Sequence, residues 1–111
     1  MAKQKLPQSV ESALDELKQA LLAIYGERLS GIYLYGSYAR GDFHQGSDVD
    51  IMVALKGTVN PGQELGRMSE KVSEICLDHD VLIAIFPVPE DWLQIRESPL
   101  FVNLRREGVA L

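Results

Sequence analysis

Two carboxylates and a glycine–serine pair lie close together in the first half of the sequence. Asp48 and Asp50 flank Val49, and Gly36-Ser37 precedes them, separated by the ten residues from Tyr38 to Ser47. Residues two apart in a strand point to the same side, so the two carboxylates would stand together. Glycine allows a turn to approach a ligand closely, and the N–H groups that follow can bind phosphate oxygens. The spacing therefore predicts a phosphate-binding turn beside paired acids.

Paired carboxylates repel each other, and burying them without compensating charge is costly. A divalent cation relieves both problems, and Mg²⁺ commonly takes one or two carboxylates together with substrate phosphates. Two such ions could hold the attacking and departing oxygens of a phosphoryl-type displacement. Each pattern alone is weak, because a lone Asp-x-Asp is usually a solvated turn and a lone Gly-Ser is usually a loop. Their combination carries the interpretation.

The elements predicted around these residues form a small α/β or α+β arrangement, a mixed sheet flanked by helices. Apolar residues recur at helical spacing in the first helix, whereas the second strand is continuously apolar, as expected for a strand covered on both faces. The predicted elements are, in order, a helix at Gln8–Tyr25, strands at Leu29–Tyr35 and Asp48–Leu55, a helix from Pro61 to about Leu77, a strand at Val81–Phe86, helical pieces at Glu90–Glu97 and Pro99–Glu107, and a possible edge strand at Val109–Leu111.

Composition sets the broad class. The 111 residues fit one domain, 1–111, and 46% hydrophobic with 24% charged residues is typical of globular proteins. No apolar run approaches the ~20 residues that span a bilayer, so no membrane segment is expected. A single cysteine, Cys76, fits a reducing compartment, and the predicted location is the cytoplasm. The net charge of −5 argues against direct binding of duplex nucleic acid.

The longer motif makes the pattern specific. Gly36-Ser37-Tyr38-Ala39-Arg40-Gly41, followed by Ser47-Asp48-Val49-Asp50, resembles the nucleotidyltransferases of the DNA polymerase β superfamily, in particular the minimal (MNT) branch. The resemblance extends from the first helix to Arg105-Arg106-Glu107-Gly108-Val109. It implies a small mixed sheet flanked by helices, with the active site at one edge of the sheet.

The resemblance also implies roles for individual residues. Gly36 and Ser37 would hold the β- and γ-phosphates of ATP, and Asp48 and Asp50 would bind two Mg²⁺ ions. A third carboxylate on a later strand would bind one metal ion and help to deprotonate the acceptor hydroxyl. Asp80 is predicted to fill this role because it directly precedes an apolar run, as Asp50 does, whereas Asp78 is expected near the end of the preceding helix.

Two side-chain assignments are less specific. Arg40 could reach a phosphate through its guanidinium, and is predicted to bind the nucleotide, or it could pair with Asp42. His44 and His79 lack a partner at a metal-ligand spacing and are expected to be ordinary loop residues.

The partner follows from the resemblance alone. Minimal members are typically antitoxins paired with an all-helical HEPN ribonuclease, which implies transfer of AMP from ATP to a tyrosine of that toxin and a possible hetero-oligomer with it. Two alternatives stay open. The protein could neutralise its partner by contact without catalysis, or it could be a free-standing nucleotidyltransferase acting on a small hydroxyl compound.

Overall fold

The computed structural model describes residues 6–111, which form ten secondary-structure elements, four of them the strands of one sheet. Within that range, none of the helices combines the length and apolar character needed to cross a membrane. The elements are α1 (Gln8–Tyr25), a 3₁₀ turn (Gly26–Arg28), β1 (Leu29–Tyr35), α2 (Ser37–Arg40), β2 (Val49–Leu55), α3 (Pro61–His79), β3 (Ile83–Pro89), α4 (Trp92–Ile95), α5 (Pro99–Glu107) and β4 (Val109–Ala110).

The sheet is mixed and has the order β3-β2-β1-β4. β1 pairs antiparallel with both β2 and β4, and β2 pairs parallel with β3 through the crossover helix α3. The sheet lies between helices, so the predicted fold class, a small mixed sheet flanked by helices, is confirmed.

The two faces of the sheet are covered unequally. One face carries Ile51 and Val53 of β2 and packs against the apolar sides of α1 and α3 in the main core. The other face carries Met52 of β2, which packs with Phe101 and Leu104 of α5 in a second, smaller cluster. β2 is buried on both sides along its apolar stretch, as its continuous hydrophobic run predicted. Because α4 and α5 are short, the second face is covered only in part.

A side-chain cap and a buried hydrogen bond stabilise the start of α3. The side chain of Asn60 accepts a hydrogen bond from the N–H of Gln63 at 3.2 Å, which caps α3 ahead of Pro61. Near this end Glu64 is buried and accepts a hydrogen bond from the Tyr25 hydroxyl at 2.9 Å. Burial, followed by that bond to Glu64, raises the pKa of Tyr25 to about 12. The contact ties the first turn of α3 to the end of α1.

The third strand departs from the sequence prediction. It was expected at Val81–Phe86, closed by Pro87 and Pro89, but β3 begins at Ile83 and contains both prolines. The N–H of Glu90 donates to Leu55 of β2, so even-numbered residues of β3 direct their backbone polar groups toward β2. The two prolines are odd-numbered and face the outer edge, where a missing N–H breaks no ladder bond. An edge strand therefore tolerates them.

Candidate active site

The predicted phosphate turn lies where β1 ends. Gly36 has φ 74° and ψ −153°, a conformation that side chains with a Cβ strongly disfavour, and it begins the short helix α2. A Cβ at this position would lie 3.1 Å from Cγ and 3.3 Å from Cβ of Asp50 and would overlap the Asp50 carboxylate. The bare backbone of Gly36 thus rests directly against the acid.

The paired acids lie at the start of β2, where Asp48 directly precedes the strand and Asp50 is its second residue. Asp50 pairs across the sheet with Tyr35, the last residue of β1. Asp50 is half-buried and Asp48 is exposed. Burial, followed by the negative charge of Asp48, raises the pKa of Asp50, while Arg40 opposes the shift. Burial, followed by the charge of Asp50, also raises the pKa of Tyr35, which favours its neutral phenol. The site therefore concentrates negative charge that a cation would neutralise.

A cavity of about 500 Å³ brings most of the predicted residues together. Five of the six, Gly36, Ser37, Arg40, Asp48 and Asp50, line it. The glycine turn and the two acids thus share one open space on the partly covered face of the sheet.

Arg40 pairs with two carboxylates at the mouth of this cavity. Its Nε donates to Asp42 at 3.2 Å, and its Nη1 lies 3.6 Å from a carboxylate oxygen of Glu107 on α5. The hydrogen bond and charge of Asp42, with a smaller contribution from Glu107, raise the pKa of Arg40. The sequence left open whether Arg40 binds a phosphate or pairs with Asp42. The structure contains the ion pair and also places Arg40 in the cavity.

Asp80 does not line the cavity of the acid pair, and its role as the third carboxylate stays a prediction. α3 continues to His79, and Asp80 ends the helix in a left-handed conformation with φ 54°. The strand starts only at Ile83, and the β3 residue paired with Asp50 is the exposed Ala84. Asp78 lies within α3, as expected.

Asp80 lines a second cavity of about 700 Å³, together with Tyr38 and Phe43. The rings of Tyr38 and Phe43 stack with their centroids 4.4 Å apart, and Tyr38 is buried. His44 and Ser47 line both cavities, so the loop before Asp48 forms a common wall.

The donor set fits a magnesium ion better than a metal held entirely by protein. In residues 6–111 no cluster of three or more His, Cys, Asp or Glu side chains is arranged to hold a metal. Asp48 and Asp50 offer two hard oxygen donors beside open space. Mg²⁺ suits such a pair because it usually keeps several waters and takes its other ligands from substrate phosphates. His79 instead bonds to Glu16 at 2.8 Å.

Sequence reasoning missed the wall formed by α5. Leu100, Asn103, Leu104 and Glu107 all line the 500 Å³ cavity. Their spacing of three, four and seven residues marks one helix face, which the sequence does show. Nothing local indicates that this face meets the paired acids, because the contact depends on how α5 packs across the sheet.

Comparison with known proteins gives the family. The sequence model of the family described as nucleotidyltransferase domain matches residues 14–98 of this chain. A protein of Methanocaldococcus jannaschii named "Putative protein adenylyltransferase MJ0141" is 33% identical over 73 residues, covering 64% of this chain and 71% of that protein. A second protein of the same organism and description, MJ0604, is 46% identical over 43 residues, which cover 39% of this chain and 43% of the relative.

Solved structures share the fold. A crystal structure of a toxin–antitoxin with AMP-PNP has a TM-score of 0.60 at 23% identity, covering 86% of this chain and 69% of that one. A mutant of the toxin–antitoxin MntA-HpeT has a TM-score of 0.59 at 24% identity, covering 87% and 70%. The family match spans the glycine turn, both paired acids and Asp80. This chain therefore belongs to the nucleotidyltransferase domain family, and its reaction class is the transfer of a nucleotidyl group.

Proposed function

We propose that this protein is a magnesium-dependent protein adenylyltransferase and an antitoxin, which transfers AMP from ATP to a tyrosine of a partner HEPN ribonuclease toxin. The observation that carries the proposal is the 500 Å³ cavity shared by Gly36, Ser37, Asp48 and Asp50. The similarity to proteins described as adenylyltransferases supports AMP as the transferred group. The fold shared with toxin–antitoxin structures supports a toxin as the acceptor.

In this proposal the cavity residues divide the work. The backbone after Gly36 and the Ser37 hydroxyl bind the β- and γ-phosphates, since a glycine turn leaves N–H groups accessible to phosphate oxygens. Asp48 and Asp50 hold the Mg²⁺ ions, which when bound stabilise negative charge on the phosphate oxygens. Arg40 contacts a phosphate in exchange for part of its pairing with Asp42 and Glu107.

The reaction is a substitution at the α-phosphorus of ATP. The tyrosine oxygen of the partner forms a bond to that phosphorus and gives its proton to a carboxylate on the acceptor side, while the bond to the oxygen bridging the β-phosphorus breaks. Pyrophosphate leaves with the electron pair. The product is a phosphodiester between AMP and the tyrosine, which is stable once the two proteins separate.

The test uses the protein with a HEPN-type partner, ATP and Mg²⁺. We expect substoichiometric amounts to add AMP to the partner, detected as a mass increase on a tyrosine. The modified ribonuclease is expected to stay inactive after this protein is removed, because a covalent bond survives dilution whereas a noncovalent complex dissociates below its Kd.

A contact inhibitor behaves differently in the same experiment. It needs stoichiometric amounts, works without ATP and releases an active ribonuclease on dissociation. An unmodified partner, neutralised equally well by the Asp48→Asn/Asp50→Asn double variant without nucleotide, would reject the catalytic proposal.

Asp80 is proposed to act on the acceptor side of the reaction. It lines the 700 Å³ cavity that adjoins the nucleotide cavity across His44 and Ser47. We expect Asp80→Asn to slow AMP transfer about a hundredfold or more, in the range of a proton-transfer role, with unchanged affinity for ATP and Mg²⁺. Rates under saturating ATP and a separate binding titration measure the two effects.

Asp78→Asn is the matched control. Asp78 is an exposed carboxylate two residues away that lines neither cavity. The Asp78→Asn variant should keep nearly the wild-type transfer rate and the wild-type affinity for ATP and Mg²⁺. Equal losses in the two variants, or weaker ATP binding in Asp80→Asn, would contradict the acceptor-side assignment.

A further inference from the structure

The cavity that holds the paired acids has two chemically different sides. The first side offers the Gly36 turn, Ser37 and the two aspartates. The second, which we call the α5 wall, is formed by one face of α5, namely Leu100, Asn103, Leu104 and Glu107. A nucleoside triphosphate also has two different ends, one highly charged and one that is flat and carries hydrogen-bonding groups.

The charges of the two sides indicate which of them binds the triphosphate and which binds the nucleoside. Glu107 adds a negative charge to the α5 wall, and the cation that pairs with it, Arg40, also pairs with Asp42. A triphosphate placed against this wall would meet Glu107, and Arg40 could contact it there only by giving up its pairing with that acid. Asp48 and Asp50 are paired and can recruit divalent cations, and the glycine turn adds backbone donors. The phosphates therefore belong at the turn, which leaves the nucleoside to face α5.

Asn103 is suited to contact a base. Its side chain is exposed and lines the cavity, and it takes part in none of the hydrogen bonds found among residues 6–111. The amide offers one acceptor and two donors on a single planar group. Leu100 lies one turn earlier on the same helix face and supplies apolar surface. An amide can form hydrogen bonds with the edge of a base while the neighbouring apolar residue contacts the base.

We propose that the α5 wall binds the nucleoside and that the amide of Asn103 hydrogen-bonds to the base, which makes Asn103 a specificity-determining residue that favours adenine. This inference rests on the proposed function. The amide oxygen accepts from the exocyclic amino group of adenine while the amide NH₂ donates to a ring nitrogen. Guanine presents a carbonyl oxygen in place of that amino group, so the same pair of bonds cannot form.

The experiment measures equilibrium binding of Mg²⁺-ATP, Mg²⁺-GTP and Mg²⁺-tripolyphosphate to the full chain. Asn103→Ala removes the amide, and Asn103→Asp replaces it with a group that only accepts. Gln94→Ala is the control, because Gln94 is an exposed amide on α4 that does not line the cavity. Tripolyphosphate carries no base and reports the phosphate side alone.

We expect the ratio of ATP to GTP affinity to fall about tenfold in Asn103→Ala, the size of one lost bidentate base contact. Asn103→Asp should shift the ratio further toward GTP, because a carboxylate accepts from two donors on the guanine edge. Tripolyphosphate affinity in Asn103→Ala and all three affinities in Gln94→Ala should stay at the wild-type values.

Two results would overturn the inference while leaving the proposed function intact. One is a wild-type protein that binds ATP and GTP equally well. The other is an Asn103→Ala variant whose affinity ratio is unchanged, or whose tripolyphosphate binding falls as much as its ATP binding. A wild-type protein that binds neither nucleotide would overturn both proposals.

Discussion

Replacing Asp48 and Asp50 together by asparagine is expected to abolish measurable AMP transfer, a loss on the order of a thousandfold or more, or about 4 kcal/mol of transition-state stabilisation. The pair crowds negative charge into one end of the cavity, where burial and Asp48 already raise the pKa of Asp50. Asparagine keeps the volume but removes the charge that holds Mg²⁺. Transfer rates across a Mg²⁺ titration measure the loss.

The double variant should fold normally. Removing two neighbouring like charges relieves repulsion, so its thermal midpoint should equal or exceed that of the wild type. Asp15→Asn, at an exposed position on α1, controls for a general effect of losing a carboxylate. Unchanged Mg²⁺-dependent transfer in the folded double variant would show that the metal site lies elsewhere.

Gly36→Ala is expected to reduce transfer by about a hundredfold, through geometry rather than charge. The backbone at this position, φ 74° and ψ −153°, is accessible almost only to glycine and costs other residues about 1–3 kcal/mol. In addition, the new methyl group would overlap the carboxylate of Asp50. To relieve the overlap, either the turn or the acid must move, and a displacement of about 1 Å can cost on the order of a hundredfold in rate.

Gly57→Ala separates the cost of backbone strain from the cost of overlap with the Asp50 carboxylate. Gly57 also has a positive φ, 80°, but a Cβ there meets nothing within 4 Å. Both variants should lose stability in denaturant unfolding, whereas only Gly36→Ala should lose transfer activity. If both lost activity in proportion to stability, the contact between Gly36 and Asp50 would have no specific role.

Much of the fold was predictable because its signals are local. The bounds of α1, β1 and α5 agree with the sequence prediction, since a glycine directly follows the last residue of each. The bounds of β3 did not agree. A proline normally indicates the end of a strand, and its tolerance at an outer edge depends on which strands become neighbours, which is not a local property.

In the site as well, features with a local sequence signal were predictable and features that depend on packing were not. Alternation in a strand was enough to predict that Asp48 and Asp50 stand together, and they do line one cavity. Asp80 does not line that cavity: two residues separate it from the start of β3, and its left-handed backbone has no distinctive sequence signal. Glu107 and Asn103 reach the cavity only through the packing of α5 on the second face of the sheet.

The prolines of β3 bear on how this molecule meets other chains. A sheet edge with free N–H groups is a template for strand addition, and such edges promote aggregation. Here Pro87 and Pro89 remove donors from the outward side of β3, and the opposite edge strand, β4, is only two residues long. Within residues 6–111, neither edge offers a continuous row of donors to an incoming strand. Recognition of another protein, and resistance to self-association at high concentration, would therefore depend on side chains of the helices and loops rather than on extension of the sheet.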